Sequence, residues 1–388
     1  MTGVQATAPA LRRRYAPRAA RPIAVVSHGG DRWLVATVVA LAGLGIVMVF
    51  NTSYFFAGER FAGDSYHVFR KHLFSIVLGG LCAAVASRLS SRTCERLAYP
   101  ALAVVTVALA AVLVPGVGLT RGGAQRWIGL GMLNLQPSEF AKLAAVLYLA
   151  RSMVRKGDRM QTFAVGVLPH VIVVGTLALM IAVQPDFGTA TVLGMLLMAM
   201  LLAGRARLRD LAALVAAAVL LFAHAVLSSP YRWQRIVAFS NPWAHPRDAG
   251  FQLVQSFVAF GSGGVFGTGL GASKQKMFYL PEAHTDFIFS VIGEELGLLG
   301  ALALVGLFAL VAVRGFRIAL RHPTVFGQLV AFGLTVSLVL QAGINMAVVL
   351  GLLPTKGLAL PFVSYGGSAM VSVLTSAGLL LALSRESG

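Results

Sequence analysis

The sequence has few charged residues and very few cysteines for its length. Asp, Glu, Lys and Arg make up only 12% of its 388 residues, whereas hydrophobic residues make up 57%. A chain this apolar, with a mean hydropathy of +0.79, is typical of a polytopic membrane protein and not of a soluble globular enzyme. The two cysteines provide no disulfide framework, because Cys82 falls in an apolar run and Cys94 in a basic loop.

Acidic residues are also scarce, with 14 Asp and Glu against 32 Lys and Arg. The basic residues occur in short clusters between apolar runs, which is typical of cytoplasmic loops facing an anionic leaflet. We therefore expect no nucleic-acid partner. The sequence lacks an HExxH motif, a CxxC pair and a Walker-type loop, and it shows no protein metal cage. We expect no β-strands, which excludes a strand-borne GxSxG nucleophile.

Ten apolar runs approach or exceed the roughly 20 residues that a membrane-spanning helix needs. The predicted spans are 33–51, 72–88, 97–116, 138–154, 162–183, 188–204, 211–228, 286–313, 325–350 and 367–384. The expected fold is an all-α polytopic membrane protein with about ten transmembrane helices in one domain, residues 33–384. Residues 1–32 are Arg-rich and predict a disordered cytoplasmic tail, followed by an uncleaved anchor because no Ala-x-Ala-like site is present.

Basic clusters follow the second, fourth, sixth and eighth predicted helices, so they lie on one side together with the N-terminus. These clusters are Arg88, Arg92 and Arg96; Arg151, Arg155, Lys156 and Arg159; Arg205, Arg207 and Arg209; and Arg314, Arg317 and Arg321. Both termini are then cytoplasmic, and a large loop, 229–285, between helices 7 and 8 is extracytoplasmic. Within it, 251–260 predicts a short amphipathic helix at the interface. The glycine-rich run 261–271 either approaches a ligand closely or forms an untethered flexible connector.

The stretch 279–295 carries three titratable residues, Glu282, His284 and Asp286, just before a long apolar run. An acid costs about 2.5–3.5 kcal/mol at the centre of a membrane helix, so acids here indicate function. The alternative is a polar helix start, with Thr285 as the cap and Asp286 in the first turn. That alternative does not explain three titratable groups together.

Further polar residues gather in the predicted outer half. Glu139 and Lys142 are three residues apart and can form a structural ion pair. Asp186 lies at an outer helix start, where it serves either as a dipole cap or in substrate binding. Arg232 and Arg235 lie among aromatic residues and serve either as headgroup-level anchors or as ligands for an anionic headgroup.

Two lysines complete the candidate site. Lys276 precedes the central stretch, and Lys356, flanked by Pro354 and Gly357, is expected to line a cavity. The candidate substrate-binding residues are therefore Lys356, Lys276, Arg232, Arg235, His284 and Glu282. At 5.4 Å per helical turn, Glu294 and Glu295 lie roughly 12–14 Å beyond Asp286, so helix packing is their expected role.

Several long blocks resemble one known family in the same order. They are Arg126-Trp127, Gln136-Pro-Ser-Glu139 with Lys142, Gln184 to Thr189, Pro281 to Phe289, Gly293-Glu-Glu295, Pro354 to Gly357, and Ser364 to Gly367. Across residues 33–384 the chain resembles the SEDS proteins (shape, elongation, division and sporulation), which are polytopic peptidoglycan polymerases. Three segments are more similar to division-type than to elongation-type members: Tyr231 to Trp243, Gly271 to Lys276, and Leu280 to Asp286.

The resemblance implies a function and its requirements. The substrate would be lipid II, polymerised into glycan strands by β-1,4 transfer at the outer face of the bacterial inner membrane during division. The family's essential Asp falls on Asp286, and other functional positions fall on Lys356 and the Glu139–Lys142 pair. The family further implies a divalent cation, Mg²⁺ or Mn²⁺, with Asp286 as a candidate ligand. The implied partners are a class B penicillin-binding protein (an FtsI-like transpeptidase) and other divisome membrane proteins, with enrichment at the septum.

Such a transfer needs a base for the acceptor hydroxyl and positive charge for the departing pyrophosphate. An Asp at the boundary of water and membrane suits the first role, since partial desolvation raises its pKa. Lys, Arg or a divalent cation suits the second. The alternatives are a lipid II flippase, an elongation-type polymerase, and a non-catalytic scaffold that tolerates loss of Asp286. A flippase needs a polar path across the whole membrane, whereas the polar residues cluster in the outer half.

Overall fold

The chain is described by a computed structural model over residues 30–121, 124–130, 133–244, 246, 250–277 and 280–387. Side chains at positions 121, 130, 133, 225, 231 and 232 are outside this description. The predicted Arg-rich tail falls almost wholly on residues 1–29, which lie outside the described residues.

Helices account for most of the described chain. They are α1 Arg32–Arg60, α2 His67–Ala86, α3 Ser91–Leu113, α4 Pro137–Lys156, α5 Leu168–Val183, α6 Phe187–Ala203, α7 Leu208–Leu227, α8 Pro230–Ser240, α9 Phe251–Gly263, α10 Ile288–Arg321, α11 Val325–Val349 and α12 Gly367–Glu386. The ten predicted spans coincide with α1–α7 and α10–α12. Among the described residues, seven helical segments are long and apolar enough to cross a membrane: α1, α2, α3, Phe163–Val183, α10, α11 and α12. The expected all-α polytopic fold is confirmed.

The central helix of the bundle is α4. Fourteen of its twenty residues are buried, and it packs against α3, α5, α6, α11 and α12. A helix enclosed by protein can carry polar groups that a lipid-facing helix cannot, provided that they are paired. This explains why α4 is less apolar than its neighbours and contains the buried pair Glu139 and Lys142.

Both ends of the described chain meet at one face of the bundle. Arg314 near the end of α10 bonds to Asp31 before α1, and the Asp31 N–H donates to Ser384 in α12. Glu386 at the end of α12 accepts from the Ser91 N–H at the start of α3. We call this the terminal face, formed by residues 30–33, 87–91, 314–322 and 384–387. The expectation that both chain ends share a side agrees with these contacts.

The boundaries of α10 differ from the prediction at both ends. The helix begins at Ile288, so Asp286 precedes it, and it continues to Arg321. The cluster Arg314, Arg317 and Arg321, predicted as loop, therefore lies on the last turns of a helix. The apolar run ends where charged residues appear, whereas the helical backbone continues through them, because Arg is a good helix former.

The absence of strands expected from the sequence is wrong. The segment between α3 and α4 forms an antiparallel sheet in the order β1 Gly118–Arg121, β2 Ala124–Leu130, β3 Leu133–Leu135. The Gly122–Gly123 pair between the first two strands is a hairpin signal in the sequence. These strands are too short to stand out in a pattern dominated by long apolar helices.

The glycine-rich segment after α9 is docked on α10, and the connector alternative is wrong. Gly297 interrupts α10 with φ 66° and ψ −165°, a conformation that favours glycine. Thr268 and Gly269 donate N–H groups to the carbonyls of Glu294 and Glu295, at 2.9 and 3.0 Å. In return, the Gly264 and Val265 carbonyls accept from Leu298 and Leu299. The docked segment thus satisfies backbone groups that the break would leave unpaired.

The helix predicted over 251–260 is confirmed as α9. It packs against α10, and its Ser256 hydroxyl donates to the Val349 carbonyl of α11 at 2.6 Å. Its buried residues include Leu253, Val254 and Ala259. The helix therefore ties the segment between α7 and α10 to α10 and to the end of α11.

Glu294 and Glu295 are buried beneath the loop between α9 and α10, as expected for packing residues. Lys276 Nζ forms an ion pair with Glu295 Oε1 at 2.9 Å, with both side chains at most 2% exposed. The same amine donates to Asn51 Oδ1 and to the Gly271 carbonyl, so its three N–H groups all have partners. Glu294 accepts from Ser273 Oγ. The network joins α1, the loop and α10.

This network predicts that Lys276→Met destabilises the protein. Removing one partner of a buried ion pair costs about 3–5 kcal/mol, because Glu295 remains buried without compensation. The thermal unfolding temperature of the purified protein in detergent should fall markedly. Lys274→Met is the matched control, since the Lys274 side chain is exposed. Equal unfolding temperatures for the two variants would contradict a stabilising pair.

Candidate functional site

The turn before α10, residues 281–287, is held in place by hydrogen bonds to three of its successive backbone carbonyls. The His284 carbonyl accepts from the Tyr365 N–H at 2.9 Å, and the Thr285 carbonyl accepts from Ser364 Oγ. The Asp286 carbonyl accepts from Asn345 Nδ2 at 2.8 Å. We call this arrangement the carbonyl clamp. Because every carbonyl from 284 to 286 is bound, the position of the Asp286 side chain is set by α11 and the loop 351–366.

The Asp286 carboxylate faces the loop segment that contains Lys356 and Gly357. A Cβ added to Gly357 would lie 3.0 Å from Asp286 Oδ2, so only a glycine leaves the carboxylate its present room. Asn345 Nδ2 also donates to the Leu358 carbonyl at 2.6 Å, so one amide holds both the turn and this loop. The Asp286 side chain remains partly exposed.

The environment of Asp286 favours its protonated form. The pKa of the Asp286 carboxyl is raised to about 7, chiefly by burial and next by the Glu282 carboxylate. The Arg126 guanidinium lowers this pKa, while Asp186 raises it. A carboxyl with a pKa near neutrality can accept a proton and release it at the same pH, which is the property required of a general base.

Glu282 and His284 flank Asp286 in the same turn. Glu282 is exposed, adopts φ 57°, and accepts from Thr285 Oγ1 at 2.8 Å. The His284 ring lies against Phe56, with ring centres 4.8 Å apart, and against Tyr365. Burial lowers the pKa of His284, an effect that Glu282 opposes. His284 is therefore packed as a neutral ring, and Glu282 is the group open to solvent.

The interpretation of Thr285 as a helix cap is wrong. The residue preceding α10 is Phe287, which makes no side-chain cap, and the Thr285 hydroxyl bonds to Glu282. Helix capping therefore does not explain why Asp286 lies in this turn.

Two cations lie at the loop 351–366: Lys356, which belongs to the loop, and Arg235, which comes from α8. Lys356 Nζ donates to Thr191 Oγ1 of α6 at 3.2 Å and lies 5.5 Å from the centre of the Phe222 ring of α7. Burial lowers the pKa of the Lys356 amine. Arg235 Nη1 of α8 donates to the Thr355 carbonyl at 3.4 Å. The structure thus brings Lys356 and Arg235 to the loop that borders Asp286.

The remaining sequence candidates differ in location. Arg232 lies on α8, but its side chain is outside the described residues. Lys276 lies in the buried network with Glu295, where its amine has no N–H group left for a substrate. Its substrate-binding role stays a prediction that this placement does not favour.

Asp186 and the Glu139–Lys142 pair support the site from beneath. Asp186 Oδ1 accepts from the Thr189 N–H at 3.0 Å, which caps α6, and its Oδ2 accepts from Gln136 Nε2 at 3.1 Å. Lys142 Nζ contacts Glu139 Oε2 at 2.8 Å and also donates to Gln341. Gln341 Nε2 in turn donates to the Ala359 carbonyl at 2.9 Å. Through Gln341, the ion pair therefore supports the loop 351–366.

Sequence reasoning did not single out Arg126, Asn345 or Ser364 as functional residues. Asn345 lies within an apolar helix, where a buried amide in an otherwise apolar run was the available signal. Arg126 was named only within a block that resembles the family, and its charge acts on Asp286 from the small sheet. These residues come from separate parts of the chain, and spacing alone does not join them.

No protein-only metal site is formed by the described residues. Among them, no group of three His, Cys, Asp or Glu side chains lies close enough to hold a metal ion. Asp286 offers a single carboxylate, next to the Arg126 charge. A cation at this position would need most of its ligands from elsewhere.

The carbonyl clamp predicts that Asn345→Ala loosens the turn and the loop together. The change removes two hydrogen bonds to buried carbonyls, each worth about 0.5–1.5 kcal/mol net and more where a partner stays unsatisfied. Amide hydrogen exchange should increase in the segments 284–288 and 356–360. Gln328→Ala is the matched control, because Gln328 Nε2 also donates to a carbonyl from α11, at 2.9 Å, but at the terminal face. Equal protection of both segments in the two variants would refute the clamp.

Comparison with known proteins identifies the family. The family model for FtsW, RodA and SpoVE, described as cell cycle protein, matches residues 32–388. A protein of Geobacter sulfurreducens named probable peptidoglycan glycosyltransferase FtsW is 44% identical over 354 residues, covering 91% of this chain and 95% of that protein. One of the same name in Alkalilimnicola ehrlichii is 44% identical over 370 residues, covering 92% and 91%.

Solved structures show the same fold. A chain from a peptidoglycan synthase complex, whose structure describes the coordination of polymerisation and crosslinking, superposes with a TM-score of 0.75 at 29% identity and covers 92% of this chain and 98% of its own. The rod shape determining protein RodA of Thermus thermophilus superposes with a TM-score of 0.68 at 29% identity, covering 93% and 98%. The chain belongs to the FtsW/RodA/SpoVE family of cell cycle proteins, and within it is an FtsW-like SEDS protein.

Proposed function

We propose that this integral membrane protein is a division-type peptidoglycan glycosyltransferase that polymerises lipid II, with Asp286 as the general base. Relatives at 40–44% identity over at least 91% of the chain are named probable peptidoglycan glycosyltransferase FtsW, which supports the reaction class and the division type. Lipid II as the substrate and Asp286 as the base are our inferences from the chemistry of the site.

The observation that carries the proposal is the position of the Asp286 carboxylate. It is partly exposed at the start of α10, held by the carbonyl clamp, and has a pKa of about 7. A carboxylate on a rigid backbone support can be aligned with an acceptor hydroxyl without ordering at each turnover. Helix capping, the competing explanation for Asp286, is not what this geometry shows.

In the proposed step, an acceptor hydroxyl attacks the anomeric carbon of the donor sugar. Asp286 takes the hydroxyl proton as the new glycosidic bond forms. The bond from the anomeric carbon to the lipid pyrophosphate breaks with its electron pair on the pyrophosphate oxygen, which leaves from the opposite face. The configuration therefore inverts from α to β, and one carboxylate is sufficient.

Positive charge for the departing pyrophosphate would come from Lys356 and Arg235. The Lys356 amine is held by a single described hydrogen bond, to Thr191, so further N–H groups are available to phosphate oxygens. Loss of water around this amine strengthens its attraction to an anion, even as it lowers the pKa. We further propose that a divalent cation enters with the pyrophosphate, because Mg²⁺ commonly binds one or two carboxylates together with substrate phosphates.

The partner and the orientation are part of the same proposal. A chain of similar fold belongs to a peptidoglycan synthase complex that couples polymerisation to crosslinking. We therefore propose a class B penicillin-binding protein as the partner of this chain, with other divisome membrane proteins at the septum. The basic terminal face would be cytoplasmic and Asp286 extracytoplasmic, as the distribution of arginines between apolar segments predicts.

The first prediction of this proposal is that Asp286→Asn abolishes glycan synthesis. Asparagine keeps the size of the side chain but cannot accept the proton, and a general base contributes about 100- to 10,000-fold to the rate. Polymer formed from purified lipid II, resolved by gel electrophoresis, should fall at least about 100-fold. Asp158→Asn is the matched control, since Asp158 is exposed and lies beyond the end of α4. Full polymer yield from Asp286→Asn would end the assignment of the base.

The second prediction concerns pH. The carboxylate is the active form, so a raised pKa means that kcat/KM falls as the pH drops below about 7. Glu282→Gln removes a negative charge that favours protonation of Asp286, so the acidic limb of the profile should move to lower pH. Glu59→Gln makes the same charge change on an exposed side chain of α1 and should leave the limb in place. An unchanged limb in Glu282→Gln would show that Asp286 does not control it.

A further inference from the structure

The terminal face contains a polar cavity lined by arginines from two helices. Its volume is 460 Å³, and its lining includes Arg32 of α1 and Arg314, Arg317 and Arg321 of α10, together with the hydroxyl residues Ser384 and Ser387. The spacing of three and four residues places the three α10 arginines along one side of that helix. The cavity is thus a concentration of positive charge at the edge of the bundle.

Most of this charge is unpaired within the described part of the chain. Arg314 is neutralised by Asp31, with Arg314 Nη2 2.6 Å from Asp31 Oδ2. Arg32, Arg317 and Arg321 are exposed, and among the described residues no carboxylate pairs with any of them. Glu386, the other acid nearby, is engaged by Ser91 and His322. Three uncompensated guanidinium groups around one cavity favour an anion with several acceptor oxygens.

A second cavity adjoins the first and differs in character. It has a volume of 360 Å³ and shares Gly30 and Arg32 with the polar cavity. Its apolar lining is Val35, Ala36, Val39 and Leu381, beside Arg32 and Arg385, and Val35 and Val39 are 41% and 64% exposed. The polar cavity therefore continues into a mainly apolar groove along α1, a helix long and apolar enough to cross a membrane.

We propose that the two cavities together bind an anionic glycerophospholipid. The phosphate would lie among Arg32, Arg317 and Arg321, and an acyl chain would lie along Val35 and Val39. Basic pockets between transmembrane helices bind acidic lipid headgroups by this combination of charge and membrane depth. A free phosphate would use the polar cavity alone and would leave the apolar groove unoccupied. The bound lipid would connect α1, α10 and α12 at the end of α10 opposite Asp286.

The test uses the full-length protein in a neutral detergent, examined by native mass spectrometry. The probes are phosphatidylglycerol, phosphatidylcholine with the same acyl chains, and inorganic phosphate. We expect retention of phosphatidylglycerol in preference to phosphatidylcholine. At about 1 kcal/mol for each arginine near a membrane surface, Arg317→Gln combined with Arg321→Gln should weaken phosphatidylglycerol binding about 10- to 30-fold.

Two further variants make the test specific. Arg205→Gln combined with Arg207→Gln removes the same charge from exposed positions outside both cavities, and should bind phosphatidylglycerol as the unaltered protein does. Val39→Trp fills the apolar groove and should weaken binding of phosphatidylglycerol but not of phosphate. If the Arg317 and Arg321 double variant does not fold, Arg32→Gln on α1 tests the same charge from the other side.

Two results would overturn the proposal. Equal binding of phosphatidylglycerol by the cavity variants and the Arg205 and Arg207 control would show that the arginines form no site. Unchanged phosphatidylglycerol binding by Val39→Trp, with phosphate competing fully, would identify the site as one for a free phosphate.

Discussion

The carbonyl clamp on residues 284–286 is the contact on which the functional site depends. It connects the turn before α10 to α11 through Asn345 and to the loop 351–366 through Ser364 and Tyr365. Near the apolar layer an unsatisfied carbonyl is costly, so these three bonds are required for the turn to remain in place. Because the bonds engage the backbone, the Asp286 side chain is left available for chemistry.

The break in α10 also helps to hold the turn that contains Asp286 in place. Gly297 separates the short helix that follows Asp286 from the long span that reaches the terminal face. The docked glycine-rich segment satisfies the exposed backbone of the break. Lys276 then joins the end of that segment to α10 through Glu295 and to α1 through Asn51. A helix start supported in this way can hold Asp286 in position, whereas the part of α10 after Gly297 is held by apolar packing.

The charges around Asp286 are balanced so that its pKa lies near neutrality. Burial and the Glu282 and Asp186 carboxylates favour the protonated form, and the Arg126 guanidinium opposes them. These groups belong to the turn, to the start of α6 and to the small sheet, so the balance requires these three parts of the chain to assemble. The names of the relatives indicate the reaction class, glycosyl transfer. The near-neutral pKa of Asp286 gives a physical reason why one carboxylate can act as its base.

Hydropathy predicted the ten apolar helices, because burial in lipid needs about 20 apolar residues and this requirement is local to each segment. The density of titratable groups likewise indicated Asp286 before any contact was known. For Lys276, closeness in sequence to the candidate site predicted substrate binding. Its partners in the structure are instead Asn51 and Glu295, which are distant in sequence. The strands between α3 and α4 had only a short local signal, Gly122–Gly123. The docking of the glycine-rich segment and the partners of Asn345 came only from tertiary structure. Each depends on which segments meet in space, and a hydrogen bond between residues 345 and 286 has no signature in the spacing of either segment.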